Sequence, residues 1–241
     1  LLLYRLRTTQ QDIHVEWRAL RIDRTALCRI MKIGLPAGIQ SAVFAVSNIV
    51  IQSAVNSLGK VVMAASSAAY NIEIFAYDVL NSFSQACTTF VGQNYGAGQI
   101  KRCKRTLFLC LLEDLIASAA AIALVLFVGK YLLAIFNNDP EVIEIGYTRL
   151  VMIFSAYTFT MLYEVMSGYL RGFGISLMPA ILTTVGVCGV RIAWIRFVFP
   201  QSMTFRTIMT AYPVSLSVTA LFMLIALLCY HPARRFRNLQ S

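Results

Sequence analysis

Long apolar blocks dominate this sequence of 241 residues, and the hydrophobic residues come in runs of more than 20. A helix needs about 20 such residues to cross a hydrocarbon core near 30 Å thick. Only 13% of the residues are charged, whereas an average soluble domain has about 25%. A water-soluble fold of this size could not bury so much apolar surface. We therefore predict an all-α integral membrane protein.

The apolar blocks predict a bundle of six transmembrane helices. Residues 1–32 are expected to form a basic linker, residues 33–230 the six-helix lobe and residues 231–241 a basic tail. Pro36, Pro140 and Pro179 are expected in first helical turns, where a missing N–H has no cost. The spans are expected near residues 33–58, 63–91, 106–129, 142–170, 179–199 and 207–230.

Lys and Arg residues alternate between rich and poor connections. They are frequent in the leader, in the second connection around Lys101 to Arg105, and in the tail, and they are sparse in the other connections. Short cytoplasmic loops carry an excess of Lys and Arg. We therefore expect both ends of the chain in the cytoplasm and the lobe in the plasma membrane, which in a bacterium is the inner membrane.

Several function classes fit this sequence poorly. The net charge of +10 comes from cations between apolar blocks, whereas a nucleic-acid protein carries them on an exposed basic face, so no nucleic-acid partner is expected. The six cysteines form no CxxC pair and no histidine falls within a predicted span, so we expect no disulfide framework, metal site or cofactor. No nucleophile with its base is visible either, which argues against an enzyme.

Amides and hydroxyls follow one face of each of the first two spans. At about 100° per residue, those of the first span fall within roughly 140° of arc and those of the second within roughly 120°. Hydrocarbon would exclude such faces, so Gln40, Asn48, Asn71 and Gln85 are predicted to line a cavity. The full stripes are Gln40, Ser41, Ser47, Asn48 and Gln52, and Ser67, Asn71, Asp78, Asn81, Ser82, Gln85, Thr89 and Gln93.

Four charges lie at bilayer depth: Glu73, Asp78, Glu164 and Arg191. Each costs about 2.5 to 3.5 kcal/mol unless it is paired or reaches water. Two interpretations stay open: Arg191 neutralises Glu164 or Glu73 across a helix interface, or at least one acid forms a cation or proton site. Glu73 and Asp78 project roughly 140° apart, so they cannot both line one narrow groove.

Further polar residues lie on the third and fourth spans. The fourth span aligns a third stripe, of Tyr157, Thr160, Glu164, Ser167 and Arg171. Glu113 and Asp114 lie about two turns inside the third span, next to the basic connection, and are expected to form interfacial salt bridges.

Four motifs together resemble the C-terminal lobe of the multidrug and toxic compound extrusion (MATE) family. They are KIGLPAGIQ opening the first span, VGQNYGAGQ closing the second, YLRGFGISLMPA between the fourth and fifth, and GVCGVRIAWI within the fifth. The resemblance covers nearly the whole chain, and the motifs occur in order at helix ends.

This resemblance implies one lobe of a two-lobed, twelve-helix transporter that exports amphipathic, often cationic compounds and is driven by a proton or sodium gradient. Its partners would be membrane lipid and a missing N-terminal six-helix lobe. Several branches of the family place an acid on the first helix of this half, whereas residues 33–58 contain none. The coupling sites are therefore expected among Glu73, Asp78 and Glu164, with Arg191 in the cavity.

Glycine-rich connections are the predicted cytoplasmic hinges between moving helices: Gly92, Gly96, Gly98, Gly172 and Gly174. The simpler interpretation is that they cap helices and form tight turns. Two rival functions also stay open. One is a lipid-linked precursor flippase of related architecture, whose cavity would concentrate cations for pyrophosphate. The other is an inactive, truncated half-transporter.

Overall fold

The computed structural model describes residues 21–232 of the chain. The predicted linker up to residue 20 and the predicted tail from residue 233 lie outside the described residues. Within the described part, helices and short connections account for the chain, without strands. The helices are α1 (Arg24–Asn56), α2 (Lys60–Gly96), α3 (Ile100–Phe136), α4 (Pro140–Phe154), α5 (Tyr157–Gly172), α6 (Leu177–Thr183), α7 (Val190–Phe197) and α8 (Phe205–Tyr230).

Side-chain caps begin three of these helices. The carboxylate of Asp23 accepts a hydrogen bond from the Thr25 amide at the start of α1, and Asp139 does the same for Glu141 at the start of α4. Thr204 caps α8 by accepting from the Thr207 amide. Each contact satisfies one of the free N–H groups that a helix N-terminus exposes.

The longest helices extend beyond the predicted spans at both ends. Helices α2 and α3 have 37 residues each, about 55 Å at 1.5 Å per residue, so their ends project from a core near 30 Å thick. Helix α1 already begins at Arg24, and Pro36 consequently lies in its interior rather than in a first turn as predicted. Pro140 does occupy the first turn of α4.

Two predicted spans are interrupted. The fourth consists of α4 and α5, which meet at a 45° bend around Ser155 and Ala156. The fifth runs from α6 through a π-helical turn, Thr184–Gly189, into α7. Gly186 in this turn lies against Thr219 of α8, and a Cβ atom on it would be 3.0 Å from the Thr219 Cα atom. Only a glycine lets the two backbones approach so closely.

The multispan helical architecture predicted from the sequence is confirmed. Among residues 21–232, four helical segments are long and apolar enough to cross a membrane, and the bent α4–α5 pair makes a fifth. The four are α1, α3, Leu177–Gln201 and α8. Helix α2, with 37 residues, is long enough as well, but its long polar face makes it less apolar than these segments.

Helix α2 lies in the middle of the lobe and packs against α3, α4 and α5. Its buried side chains contribute to two of the three apolar clusters, one around Phe154 and Leu150 and one around Cys87 and Val91. The third cluster joins α5 to α8 and the π-helical turn. Both halves of the bent span, α4 and α5, pack against α2, and polar side chains of these three helices line one cavity.

Candidate functional site

A polar cavity of about 540 Å³ opens between α1, α2, α4, α5, α7 and α8. This volume lies within the range of about 300 to 1,000 Å³ typical of small-molecule sites. Its charged lining consists of two carboxylates and three guanidinium groups, set among tyrosines and amides. These charged residues are Glu73, Glu164, Arg149, Arg171 and Arg191.

Glu73 and Arg149 form a buried ion pair at one wall of the cavity. The Nε and Nη2 atoms of Arg149 donate to the two carboxylate oxygens of Glu73 at 2.6 and 2.8 Å, and Nη1 donates to Ser66. Tyr157 donates its hydroxyl to the backbone oxygen of Glu73 at 3.0 Å. Both side chains of the pair are over nine-tenths buried. This bidentate geometry is the strong form of an Arg–carboxylate contact.

Glu164 lies on α5 and has a longer contact with its cation than Glu73 has. Its carboxylate lies 3.5 Å from Nη2 of Arg171 and accepts a hydrogen bond from the Tyr77 hydroxyl at 3.2 Å. Arg171 also donates to Ser84 at 3.3 Å. The contact is longer than a typical charge-assisted hydrogen bond of about 2.7 to 2.9 Å. Glu164 is therefore less tightly held by its cation than Glu73.

Arg191 contacts no carboxylate among residues 21–232, so the pairing of Arg191 with Glu164 or Glu73 considered from the sequence is wrong. Its Nε atom donates to Ser215 at 3.1 Å, and its guanidinium lies 4.2 Å from the centre of the Tyr212 ring. Such a contact is a cation–π interaction. Arg191 is only 7% exposed and lines the cavity, so among residues 21–232 it contributes a positive charge that is not paired with a carboxylate.

Arg149 was overlooked among the charges at bilayer depth predicted from the sequence. Its position inside the predicted span 142–170 was the signal that could have found it, because a charge at that depth requires a partner. Its partner Glu73 lies 76 residues away in sequence, so the pairing itself had no local signal.

The structure separates Glu73 from Asp78. Glu73 lines the cavity, whereas Asp78 is exposed on another face of α2 and is not part of the lining. The angle of roughly 140° between positions five apart on a helix explains the separation. Of the three predicted coupling acids, the structure thus brings Glu73 and Glu164 together around one cavity.

The predicted amides divide in the same way. Gln40, Asn48 and Gln85 line the cavity, and Gln40 donates to the Thr183 hydroxyl at 2.7 Å. Asn71 is exposed, lies outside the cavity and donates to the backbone of Ser67 at 3.1 Å. Most of the polar face predicted on α2 is exposed in this lobe, including Asn71, Asp78, Ser82, Gln85, Thr89 and Gln93.

The expectation of salt bridges at Glu113 and Asp114 is wrong. Glu113 is exposed, whereas Asp114 is 2% exposed and neither of its carboxylate oxygens has a hydrogen-bond partner. The ion pairs within residues 21–232 join Lys130 to Glu144, Arg149 to Glu73 and Arg171 to Glu164. Asp114 lies against α5 instead, where it lines a small cavity with Thr158 and Met161.

The predicted hinge glycines occupy two kinds of position. Gly92 and Gly172 lie where α2 and α5 cross, and a Cβ atom on Gly172 would be 2.7 Å from the Val91 Cβ atom. Gly98 and Gly174 lie in the connections that follow α2 and α5, with φ angles of 72° and 78°. Gly96 is the last residue of α2, with open space around it.

A bundle of membrane-spanning helices around a charged, polar cavity defines a membrane transporter lobe. Comparison with known families identifies which one. The model of the MatE family matches residues 36–195, and the chain belongs to this family. Its members are membrane transporters rather than enzymes.

Relatives and solved structures agree with this assignment. The chain is 22% identical over 206 residues to the probable multidrug resistance protein YoeA of Bacillus subtilis, covering 85% of this chain and 44% of that protein. It is 28% identical over 215 residues to the probable multidrug resistance protein NorM of Chromobacterium violaceum, covering 86% and 45%. A crystal structure of MATE in the bent conformation superposes with a TM-score of 0.85 at 15% identity, covering 98% of this chain and 53% of that one.

The chain spans about half the length of the curated relatives it matches. It therefore corresponds to one lobe of a transporter of this family.

Proposed function

We propose that the protein containing this lobe is a secondary active exporter, an antiporter of amphipathic, often cationic compounds driven by a proton or sodium gradient. The observation that supports this proposal is the cavity, which places charged and amide side chains of six helices around one volume inside the membrane bundle. Such a volume offers polar contacts to a cargo molecule where lipid could offer none.

Glu164 is the proposed coupling carboxylate. Binding a cation or proton at Glu73 would disrupt two short hydrogen bonds to Arg149, whereas Glu164 holds Arg171 only at 3.5 Å. Asp78 lies outside the cavity of this lobe. A carboxylate with a loosely held cation can exchange that partner for another positive charge at lower cost.

Coupling requires that ion and cargo prefer different conformations, since a ligand shifts an equilibrium only by its differential affinity. We propose rocking of two six-helix lobes, with the hinge motion taken up at Gly98 and Gly174. The exposed polar face of α2, with Asn71, Asp78 and Gln85, would then face the N-terminal lobe. The distribution of Lys and Arg supports a plasma-membrane orientation with both ends of this chain cytoplasmic.

The test is ethidium efflux from cells that express the full-length protein, carrying Glu164→Gln, Glu73→Gln or Asp78→Asn. Glu164→Gln should abolish efflux at wild-type protein levels, because an amide cannot exchange a cation. Asp78→Asn should retain efflux, because Asp78 lies outside the cavity of this lobe. Glu73→Gln should lower the amount of folded protein, because it breaks a buried ion pair, and should leave the efflux rate per folded molecule less affected. Wild-type efflux by Glu164→Gln would refute the assignment of the coupling residue.

A second function is favoured by the three arginines of the cavity. A lipid-linked precursor flippase would need cations for a pyrophosphate group, and Arg191 presents a guanidinium without a carboxylate partner in the described part of the chain. Arg191→Gln should then abolish translocation of a pyrophosphate-linked lipid in proteoliposomes, while Arg206→Gln, outside the cavity, should not. If Arg191→Gln keeps ethidium efflux and the wild type does not translocate the lipid, the flippase hypothesis is excluded and the exporter hypothesis stands.

A further inference from the structure

A second group of buried polar atoms lies on the far side of α5 from the cavity. Asp114 and Ser118 are one turn apart on α3 and are 2% and 0% exposed. Neither oxygen of the Asp114 carboxylate nor the Ser118 hydroxyl has a hydrogen-bond partner among the described residues. A small cavity of about 10 Å³ opens beside them and is closed by α5 residues, including Thr158 and Met161.

This site is separate from the cargo cavity. The α5 residues that close it are Thr158, Met161 and Leu162, whereas Thr160 and Glu164 line the large cavity. The two sets lie about 140° apart around the helix axis. Because α3 and α5 supply all the lining residues, the site does not depend on the other lobe.

Among the residues that the structure describes, no cation pairs with Asp114 to balance a negative charge. None of the three ion pairs within residues 21–232 includes it. The charged group of α5 that acts on it through space is Glu164, which has the same sign. On its own helix the titratable neighbours are Cys110, which is buried, and Glu113, which is exposed. An ionised carboxylate here would be a buried charge without a partner, which is far more costly than a neutral acid.

The size and chemistry of the small cavity restrict the ligand. A hard metal cation takes about six or more oxygen ligands, whereas the lining supplies one carboxylate and the hydroxyls of Ser118 and Thr158. A cavity of about 10 Å³ has room for one water molecule. A proton on the carboxylate, with one water between Asp114 and Ser118, satisfies both limits.

We propose that Asp114 is an intramembrane proton-binding site, held as the neutral carboxylic acid while α3 and α5 are packed as in this structure. Thr158 follows the 45° break between α4 and α5, so a change in that bend would open the pocket to water. The proton would then leave the carboxyl oxygen for water, and the carboxylate would regain it when the helices close. The part of Asp114 in coupling rests on the proposed antiport, whereas its proton occupancy does not.

Infrared spectroscopy of the full-length protein in lipid tests the proton occupancy. At neutral pH the wild type should show the C=O stretching band of a protonated carboxylic acid, and Asp114→Asn should lose that component. The neighbouring exposed acid provides the matched control, since Glu113→Gln should keep it. Identical bands in the wild type and Asp114→Asn would overturn the proposal.

One further variant and two further measurements keep the test decisive. If Asp114→Asn does not fold, Ser118→Ala should shift the frequency of the same band, because it removes the hydroxyl beside the acid, and an unshifted band would refute the site. Raising the pH from about 5 to about 8 should lower the melting temperature of the wild type more than that of Asp114→Asn, because a proton held more tightly by the folded state stabilises it less as the pH rises. Loss of efflux in Asp114→Asn but not in Glu113→Gln would support coupling through this proton, and wild-type efflux would remove Asp114 from coupling. Failure of the exporter proposal itself would show instead as absence of ethidium efflux by the wild type.

Discussion

Replacing Arg149 with Met should destabilise the lobe strongly, because the substitution leaves Glu73 buried without its cation. Breaking a buried ion pair by removing one partner costs about 3 to 5 kcal/mol. The geometry places this pair at the upper part of that range. Both carboxylate oxygens of Glu73 accept from Arg149 at 2.6 and 2.8 Å, and the side chains are 4% and 9% exposed.

The double substitution Glu73→Leu with Arg149→Met separates charge from packing. It removes both buried charges, and apolar replacements of a buried pair are often neutral or stabilising. The double variant should therefore recover most of the stability that the single Arg149→Met change loses. Glu73→Gln alone should also be costly, since Arg149 then keeps its charge beside a neutral amide.

Unfolding of the purified full-length protein in detergent, followed by circular dichroism, measures these differences. The exposed pair of Lys130 and Glu144 provides the matched control, with side chains 48% and 64% exposed. Lys130→Met should change stability by less than about 1 kcal/mol. If Arg149→Met unfolds like Lys130→Met, or if the double variant is no more stable than either single one, the ion pair does not hold the lobe together in the manner described.

Two further predictions concern packing and hydrogen bonding. Gly172→Ala should lower stability by about 1 to 3 kcal/mol, because its Cβ atom would lie 2.7 Å from the Val91 Cβ atom. Gly96→Ala is the control and should be neutral or slightly stabilising, because nothing lies within 4 Å of its Cβ position. Equal melting temperatures for the two variants would contradict the close α2–α5 crossing. Thr183→Val should lower stability by about 1 kcal/mol, because it removes the hydroxyl that accepts a hydrogen bond from Gln40. Thr183→Ser keeps that hydroxyl and should melt near the wild-type temperature. A Thr183→Val protein as stable as the wild type would show that this hydrogen bond contributes little.

The site was partly predictable from single helices. Angular spacing on α2 correctly separated Glu73 from Asp78, because five residues on a helix always turn through the same angle. The same reasoning placed Asn71 and Gln85 on one face, yet only Gln85 lines the cavity of this lobe. Tyr70 and Ile74 line the cavity at the same height as Asn71, so the lining follows an arc beside the amide stripe. A helical wheel of one helix does not show which arc the neighbouring helices enclose.

The ion pairs were not predictable in this way. Asp114 was expected to meet the basic connection, and the packing of α3 against α5 buries it instead. Arg191 was considered as a partner of Glu164 or Glu73, but the structure gives those acids Arg171 and Arg149. Glu164 and Arg171 lie on the same helix, seven residues apart on the predicted stripe of α5, whereas Glu73 and Arg149 meet only because α2 packs against α4.

The sequence by itself determined that the chain is helical and resides in a membrane, since hydropathy and helix length are local properties and every backbone group in lipid must be satisfied within its own segment. Only the tertiary structure decided which charges are neutralised, which face the cavity and which acid is buried without a partner. Glu73 and Arg149 are 76 residues apart, and nothing short of the packed bundle brings them together.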